Sequence, residues 1–265
     1  MTRKIVVLLL ALAFVLLIGV LLIGPVVAQS PGPCSNLPNH AALQAALKKA
    51  RAEANGGFNL DMWATVVNRD GVVCAVAFTG KERGDQWPGS RVISAQKANT
   101  ANEFSLPGLA LSTANLYSAV QPGGTLFGLQ ESNPVDTQVA YGGDAANYGQ
   151  GKDPMVGKKI GGVNVFGGGL PLYTADKTLV GGLGVSGDSS CADHNIAWKT
   201  RYNLLLDNIP GGVNPSGNDN IIYDITMDSN GHPVSASGFG HPACSKDATS
   251  IGQDLATKYP TGHKP

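Results

Sequence analysis

Residues 161–194 read Gly-Gly-Val-Asn-Val-Phe-Gly-Gly-Gly-Leu-Pro-Leu-Tyr-Thr-Ala-Asp-Lys-Thr-Leu-Val-Gly-Gly-Leu-Gly-Val-Ser-Gly-Asp-Ser-Ser-Cys-Ala-Asp-His and carry the clearest structural pattern in the chain. Two short apolar runs, 168–173 and 178–185, flank a polar loop, and this arrangement predicts a β-hairpin. The glycines that end the second run allow a sharp turn or the close approach of a ligand, and the polar residues after them can cap a helix. The stretch therefore predicts a strand that passes into a helix at residues 184–188, here called the glycine corner.

Helical and strand patterns alternate on both sides of the glycine corner. Apolar spacing and end signals predict helices over 39–50, 90–104, 113–119 and 189–207. Strands are predicted over 59–68 and 72–79, joined by an Asp-Gly turn, and again over 220–227. Residues 130–160 show no clear periodicity, which is typical of a long loop that is functional or mobile.

The N-terminal 28 residues predict an export signal. Arg3 and Lys4 precede an uncharged apolar run over 5–23, and the small residues just before position 29 suit a signal peptidase. A retained membrane anchor is the alternative, because a bilayer span takes about 20 residues. Either interpretation places the remaining chain outside the cytoplasm, in the periplasm or the extracellular space.

The four cysteines predict two disulfide bonds, because an exported chain meets an oxidising compartment. Of the three pairings that are open, we favour Cys191 with Cys244 and Cys34 with Cys74. Cys191 and Cys244 both lie late in the chain, each within three residues of a histidine, and Cys34 lies in a tail that needs attachment. No cysteine pair has the spacing of a zinc finger.

The charge of the chain argues against a polyanionic partner. Lysine and arginine number 19, aspartate and glutamate number 19, and charged residues make up only 14% of the sequence. No basic surface is therefore expected to bind nucleic acid or an anionic membrane. We expect a small-molecule or protein partner, and no stable membrane insertion once the signal peptide is removed.

Four motifs follow one another along the chain. They are Ser-Ala-Gln-Lys-Ala-Asn-Thr-Ala at 94–101, Pro-Gly-Gly at 122–124, Phe-Gly-Gly-Gly-Leu-Pro-Leu at 166–172 and Val-Gly-Gly-Leu-Gly-Val-Ser-Gly at 180–187. Together they resemble the GlcG/HbpS-type haem-binding family over about residues 37–202. The resemblance implies an α+β fold with a five-stranded antiparallel sheet and helices packed on its faces, assembly into homo-oligomers, and haem or another tetrapyrrole as ligand.

The resemblance also suggests a division of the chain. Residues 1–28 are the signal peptide, and residues 29–207 form the α+β domain with an inserted loop at about 130–160. Residues 208–265 lie beyond the resemblance and are expected to form a C-terminal extension that packs on the domain.

A ligand pocket is predicted where the glycine corner meets the helix that carries Lys97. Gly184 would leave room for a flat ligand, and His194, in the first turn of the next helix, is the first choice for a haem-iron ligand. His241 is the second choice, because the favoured Cys191–Cys244 disulfide would bring it near the corner. Lys97 would bind a haem propionate. The alternative is that Lys97 extends along the surface of the core for packing alone.

Other residues could contact the same ligand. Thr100 lies one helical turn from Lys97 and could donate to a propionate, or instead bond back to its own helix. Thr113 is a further candidate ligand. Tyr141, Tyr148 and Met155 are chemically suitable for iron, but their position in a long loop favours the alternative that they are surface residues.

These observations favour an exported haem-binding protein rather than an enzyme. A small-molecule enzyme that uses the same pocket is the alternative, and a structural oligomer is a third hypothesis. The Gly-x-Ser-x-Gly motif is absent, which disfavours a serine hydrolase. Asp85, Glu103, Asp188 and Asp193 could act as acids or bases, but the sequence does not pair them.

Overall fold

A four-stranded antiparallel sheet forms the centre of the computed structural model, which describes residues 32–262. Its strands, in the spatial order β2-β1-β4-β3, are β1 (Trp63–Asn68), β2 (Val73–Phe78), β3 (Gly169–Tyr173) and β4 (Leu179–Ser186). Both predicted hairpins are confirmed, since β1 pairs with β2 and β3 pairs with β4. Trp63 lies opposite Ser186, so the glycine corner adjoins the start of β1. The predicted signal peptide lies outside the described residues.

The predicted fifth strand does not join this sheet. Within 220–227 only β5 (Ile225–Met227) is a strand, and it pairs with β6 (Pro233–Ser235) in a separate two-stranded sheet. The residues before β5 face other partners: the Asp219 carboxylate accepts from Arg201, and the Asn220 carbonyl accepts from the Asn115 side chain. The α+β class is confirmed, and the strand number implied by the resemblance is wrong for the described residues.

Helices cover both faces of the sheet. They are α1 (His40–Arg51), α2 (Ser90–Glu103), α3 (Leu129–Ser132), α4 (Thr137–Tyr141), α5 (Ser190–Asn203) and α6 (Lys246–Lys258). The predictions of α1, α2 and α5 are confirmed, although α5 ends earlier than expected. Leu205, just beyond its end, adopts a left-handed φ of 59°, a common way to end a helix.

The predicted helix over 113–119 is a pair of tighter turns. Two 3-10 turns, Thr113–Leu116 and Ser118–Val120, replace it, and a third 3-10 turn covers Ala145–Asn147. The hydroxyl and backbone of Ser112 form a capping box with Asn115, which fixes the start of the first turn.

The core has two layers, one on each face of the sheet. Ala64 and Val66 of β1 face the layer shared with α1 and α5, and Trp63 and Val67 face the layer shared with α2. This alternation follows from the two-residue period of a strand. Every residue of β1 is buried because helices cover both faces.

The inserted segment over 130–160 is packed rather than loose. Arg91 of α2 forms a two-pronged ion pair with Asp153 and donates to the Ala140 carbonyl at 2.7 Å. Its guanidinium also lies 3.7 Å from the centre of the Tyr148 ring. A buried arginine of α2 therefore holds this segment at several points, and the expectation of a functional or mobile loop stays a prediction.

Residues beyond 207 contact α5 at several points. Arg201 of α5 binds both carboxylate oxygens of Asp219, at 2.6 and 2.8 Å, and the Trp198 indole donates to the Tyr259 carbonyl at 2.9 Å. The extension also contains α6, which the sequence interpretation missed. Its buried face consists of Ala248, Gly252 and Leu255.

Both favoured disulfides are present. Cys34 is bonded to Cys74 and Cys191 to Cys244, so no cysteine of the described residues is free. The first bond ties the N-terminal tail to β2, and the second ties the C-terminal extension to the first turn of α5. Between residues 32 and 262, no helix has the length and apolar character needed to cross a membrane.

Candidate functional site

The glycine corner is closed by helix packing. A Cβ atom on Gly184 would lie 1.9 Å from the Ser94 carbonyl oxygen and 2.5 Å from the Ala98 backbone nitrogen. The backbone of α2 therefore lies directly against β4 at this point, and no side chain fits between them. The pocket predicted at Gly184 is wrong in this geometry, because the helix occupies the space that the glycine leaves.

Lys97 is already paired inside the protein. Its Nζ lies 2.7 Å from Asp193 Oδ2 and 3.2 Å from the Val185 carbonyl oxygen, and both charged side chains are buried. Asp193 also accepts from the Asp188 backbone N–H at 2.9 Å. Burial raises the pKa of Asp193 to about 6, although the nearby Lys97 acts in the opposite direction. The pair joins α2 to the first turn of α5, and it leaves Lys97 no free side facing solvent.

Thr100 and Thr113 both bind the segment that leads into β3. Thr100 Oγ1 donates to the Gln96 carbonyl at 2.8 Å and accepts the Asn164 backbone N–H at 3.0 Å. Thr113 Oγ1 donates to the Phe166 carbonyl and accepts the Gly169 backbone N–H at 2.9 Å. Both hydroxyls are therefore used in the structure, which matches the alternative given for Thr100.

His194 is enclosed by the C-terminal extension. Its side chain is buried, and Nε2 lies 3.1 Å from Asn220 Oδ1 and 3.2 Å from the Ile221 backbone nitrogen. Its Nδ1 has no hydrogen-bond partner among residues 32–262. Burial lowers the pKa of His194 to about 3, so the ring is neutral at neutral pH. The open space that an iron ligand at His194 requires is not present in this conformation.

His241 lies against Ser190, the first residue of α5 and just beyond the glycine corner. Its Nε2 is 2.8 Å from the Ser190 hydroxyl, and its Nδ1 is 2.7 Å from the Pro242 carbonyl oxygen. The ring also packs on Tyr117, with ring centres 5.0 Å apart. Burial lowers the pKa of His241 to about 4. The extension therefore places a neutral histidine on the first residue of α5.

The other predicted ligands lie apart from the corner. Met155 is buried in the α2 layer, and Tyr148 donates to the carbonyl of Tyr141, whose own side chain is exposed. No cluster of three or more acidic, histidine or cysteine side chains suited to a metal ion occurs in the described part of the chain. The predicted site residues thus form one neighbourhood only around α5, where Lys97, His194 and His241 converge.

The sequence interpretation missed three residues of this neighbourhood. Ser190 was expected only as a helix cap, Asp193 was unpaired, and Asn220 was assigned to a strand. The disulfide between Cys191 and Cys244 is a sequence signal for the contact at Ser190 alone, because it brings residues 241–244 onto the first turn of α5.

Comparison with known proteins identifies the family. The family model described as "Haem degrading protein HbpS-like" matches residues 39–201. No curated protein matches. Solved structures that resemble the chain include a PduOC–haem complex, at 24% identity, 63% coverage of this chain, 94% of the other and a TM-score of 0.44. Protein ORFY of Klebsiella pneumoniae is 25% identical, with 63% of this chain and 90% of that chain covered and a TM-score of 0.42. HbpS is 17% identical, with 67% of this chain and 93% of that chain covered and a TM-score of 0.36. Because the family model covers more than half of its length, the chain belongs to the HbpS-like family.

Proposed function

We propose that this chain is an exported haem-binding protein. The observation that carries the proposal is the match of residues 39–201 to a family named for haem. Two disulfides support export, because such bonds form and persist in oxidising compartments. Haem handling, storage or redox sensing would each be consistent with a location outside the cytoplasm.

The corner residues do not fit haem as an internal ligand. Lys97, Thr100, Thr113 and His241 have protein partners at the atoms that would contact haem. His194 is hydrogen-bonded through Nε2, and its Nδ1 is buried without a partner among the described residues. The depression beside Asp188 has a volume of about 270 Å³, which is below the roughly 300–1,000 Å³ of typical ligand pockets. Ligation by His194 would require Asn220 and Ile221 to move away.

We therefore place the proposed haem contact on the outer side of the corner. The Phe166 side chain is 48% exposed there, whereas the preceding Val165 is buried. The Phe166 backbone carbonyl accepts a hydrogen bond from the Thr113 hydroxyl. Gly167 follows it and adds no side chain, so a flat ring could lie against this surface. An aromatic side chain next to bare backbone is a suitable platform for a porphyrin face.

Hemin titration of the haem-free protein tests this location. Phe166→Ala should weaken hemin binding at least tenfold. The substitution removes the apolar contact of the ring with the porphyrin, and a loss of about 1.4 kcal/mol in binding free energy raises Kd tenfold. Leu106→Ala is the matched control. Leu106 is 56% exposed and contacts Tyr173 at the opposite end of β3, so its removal should leave the affinity unchanged. Equal affinities for the two variants would place the ligand elsewhere.

Homo-oligomer formation is part of the proposal. Several large apolar side chains are exposed, including Phe58 at 72%, Phe127 at 67% and Tyr141 at 62%. Exposed apolar groups of this size support contact with another copy of the chain. Light scattering on the purified protein measures the assembly directly.

A further inference from the structure

Ser190 and His241 form a hydrogen-bonded pair in the arrangement of a nucleophile and its base. The Pro242 carbonyl oxygen can only accept a proton, so the His241 Nδ1 at 2.7 Å must carry the hydrogen. Nε2 is then free to accept, and the Ser190 hydroxyl at 2.8 Å donates to it. A serine that donates to a histidine, with the histidine held by a third group, is the geometry of an activated nucleophile.

We propose that Ser190 is an acyl-accepting nucleophile and that His241 is its general base, in a site that hydrolyses carboxylic esters. The proposal does not rest on haem binding, although both ligands would use the surface at Phe166, so the test is made on the haem-free protein.

The surroundings of Ser190 suit an ester substrate. Ser190 is only partly buried and is the first residue of α5, where backbone N–H groups lack helical acceptors and favour negative charge. The Cys191 N–H donates at 3.2 Å to the Cys244 sulfur, a weak acceptor that an oxyanion could replace. The Gly167 backbone N–H donates to Ser190 Oγ at 2.7 Å, which brings the preceding residue, exposed Phe166, close to Ser190. An apolar acyl or alcohol group of the substrate could therefore lie against the Phe166 ring.

The chemistry balances without a redox partner. Ser190 Oγ forms a bond to the acyl carbon while its proton passes to His241 Nε2, and the ester C–O bond breaks as that proton passes to the departing alcohol. Water then attacks the acyl-serine, gives its proton to His241, and releases the carboxylic acid as Ser190 recovers its hydrogen. Burial lowers the pKa of His241 to about 4, so Nε2 is unprotonated at neutral pH and is a weaker base than an exposed histidine.

The structure holds His241 at three points. The ring packs on Tyr117, the His241 backbone N–H donates to the Ile222 carbonyl at 2.8 Å, and the Cys191–Cys244 disulfide lies three residues away. Cys244 is exposed, whereas Cys191 is buried in α5, so removing the bond by mutation changes one exposed and one buried side chain. Loss of this bond should loosen His241 and weaken the activation of Ser190.

A fluorophosphonate probe tests the proposal on the haem-free, oxidised mature chain. The probe forms an Oγ–P bond with an activated serine and releases fluoride, and peptide mass spectrometry identifies the labelled residue. We expect labelling at Ser190, no labelling in Ser190→Ala, and an unchanged rate in Ser189→Ala. Ser189 is the matched control, because its hydroxyl is buried and has no partner among the described residues.

Variants of the base complete the experiment. His241→Gln should slow labelling at least 100-fold, the lower end of the usual effect of a general base. Should that variant fail to fold, Cys191→Ser with Cys244→Ser replaces it, and Cys34→Ser with Cys74→Ser is its control. Labelling should fall in the first pair and persist in the second. Absence of labelling in the folded wild type, or equal labelling in Ser190→Ala, would overturn the proposal. Hemin titration is unaffected by either result.

Discussion

At the scale of single residues, Gly184 shows how close packing can resemble a binding site in a sequence. Its missing side chain makes room for the α2 backbone, so a Cβ there collides with main-chain atoms that cannot rotate away. We expect Gly184→Ala to lower the free energy of unfolding by about 3 kcal/mol or more, at the upper end of overpacking effects. Urea denaturation measures the loss.

Gly151→Ala provides the control for this substitution. A Cβ at Gly151 would meet no atom within 4 Å, so this variant should unfold close to the wild type. A Gly184→Ala protein as stable as Gly151→Ala would show that α2 does not lie against β4 as described. Loss of haem uptake in a Gly184 variant would by itself say little about a pocket, because the fold would already be damaged.

The two buried histidines predict acid sensitivity. Their folded pKa values, about 3 for His194 and about 4 for His241, lie below the value near 6.5 expected in an unfolded chain. Below pH 6.5 the unfolded chain binds protons that the folded chain does not. The contribution of the two neutral histidines to the free energy of unfolding is therefore complete above pH 6.5 and is lost as the pH falls toward 4 and 3. Asp193 offsets part of this loss, because its raised pKa of about 6 lets the folded chain bind a proton first.

Urea unfolding at pH 7 and pH 5 measures this effect. Each buried histidine should lower the free energy of unfolding by about 2 kcal/mol between pH 7 and pH 5, since one pKa unit corresponds to about 1.4 kcal/mol. His194→Gln should therefore reduce the pH-dependent loss by about that amount. His232→Gln is the control, because His232 is exposed and should not change the loss. An unchanged pH dependence in His194→Gln would contradict the buried neutral histidine.

Sequence position singles out Lys97, His194 and His241, and their role as ligand contacts stays a prediction. In the structure all three lie around α5. Their actual partners, Asp193, Asn220 and Ser190, come from parts of the chain that only tertiary folding connects. Local spacing carries no information about contacts such as Lys97 with Asp193, which are 96 residues apart.

At the scale of elements, the inserted segment depends on one arginine. Arg91→Met would leave Asp153 as an uncompensated buried charge, a change that typically costs about 3–5 kcal/mol. We expect the segment over 130–160 to open locally, and cleavage there by a protease to become more than tenfold faster. Timed proteolysis with mass spectrometry locates the cuts.

Lys152→Met is the matched control for this element. Lys152 is exposed and lies beside Asp153, so its loss removes a charge from the same segment without breaking the buried pair. Its cleavage rate should equal that of the wild type. Equal rates for Arg91→Met and Lys152→Met would show that the segment does not rely on Arg91.

Elements with strong periodic patterns were predictable, and elements that pack through small or polar residues were not. α1, α2, α5 and the two hairpins have clear apolar spacing or turn signals, so the sequence located them. α6 buries only Ala248, Gly252 and Leu255, and its central glycine weakens the helical signal. The strand expected over 220–227 was shortened because Asp219 and Asn220 bind side chains of other elements.

At the scale of the whole molecule, the C-terminal extension adds residues and contacts that lie outside the family match. The match ends at residue 201, and the extension then returns to cover His194 and to place His241 on Ser190. Composition and charge argue against a polyanionic partner, but they carry no information that a C-terminal segment encloses His194. A buried site of this kind depends on the fold of the complete chain.

The absorption spectrum of the purified protein after hemin reconstitution and desalting tests the central claim most directly. Haem binding predicts a Soret band that is shifted from free hemin, remains after desalting, and saturates at a fixed ratio of hemin to chain. A band that forms and then decays with a reductant would indicate turnover of bound haem. A spectrum that returns to that of the bare protein after desalting, at every hemin ratio, would contradict haem binding by this chain.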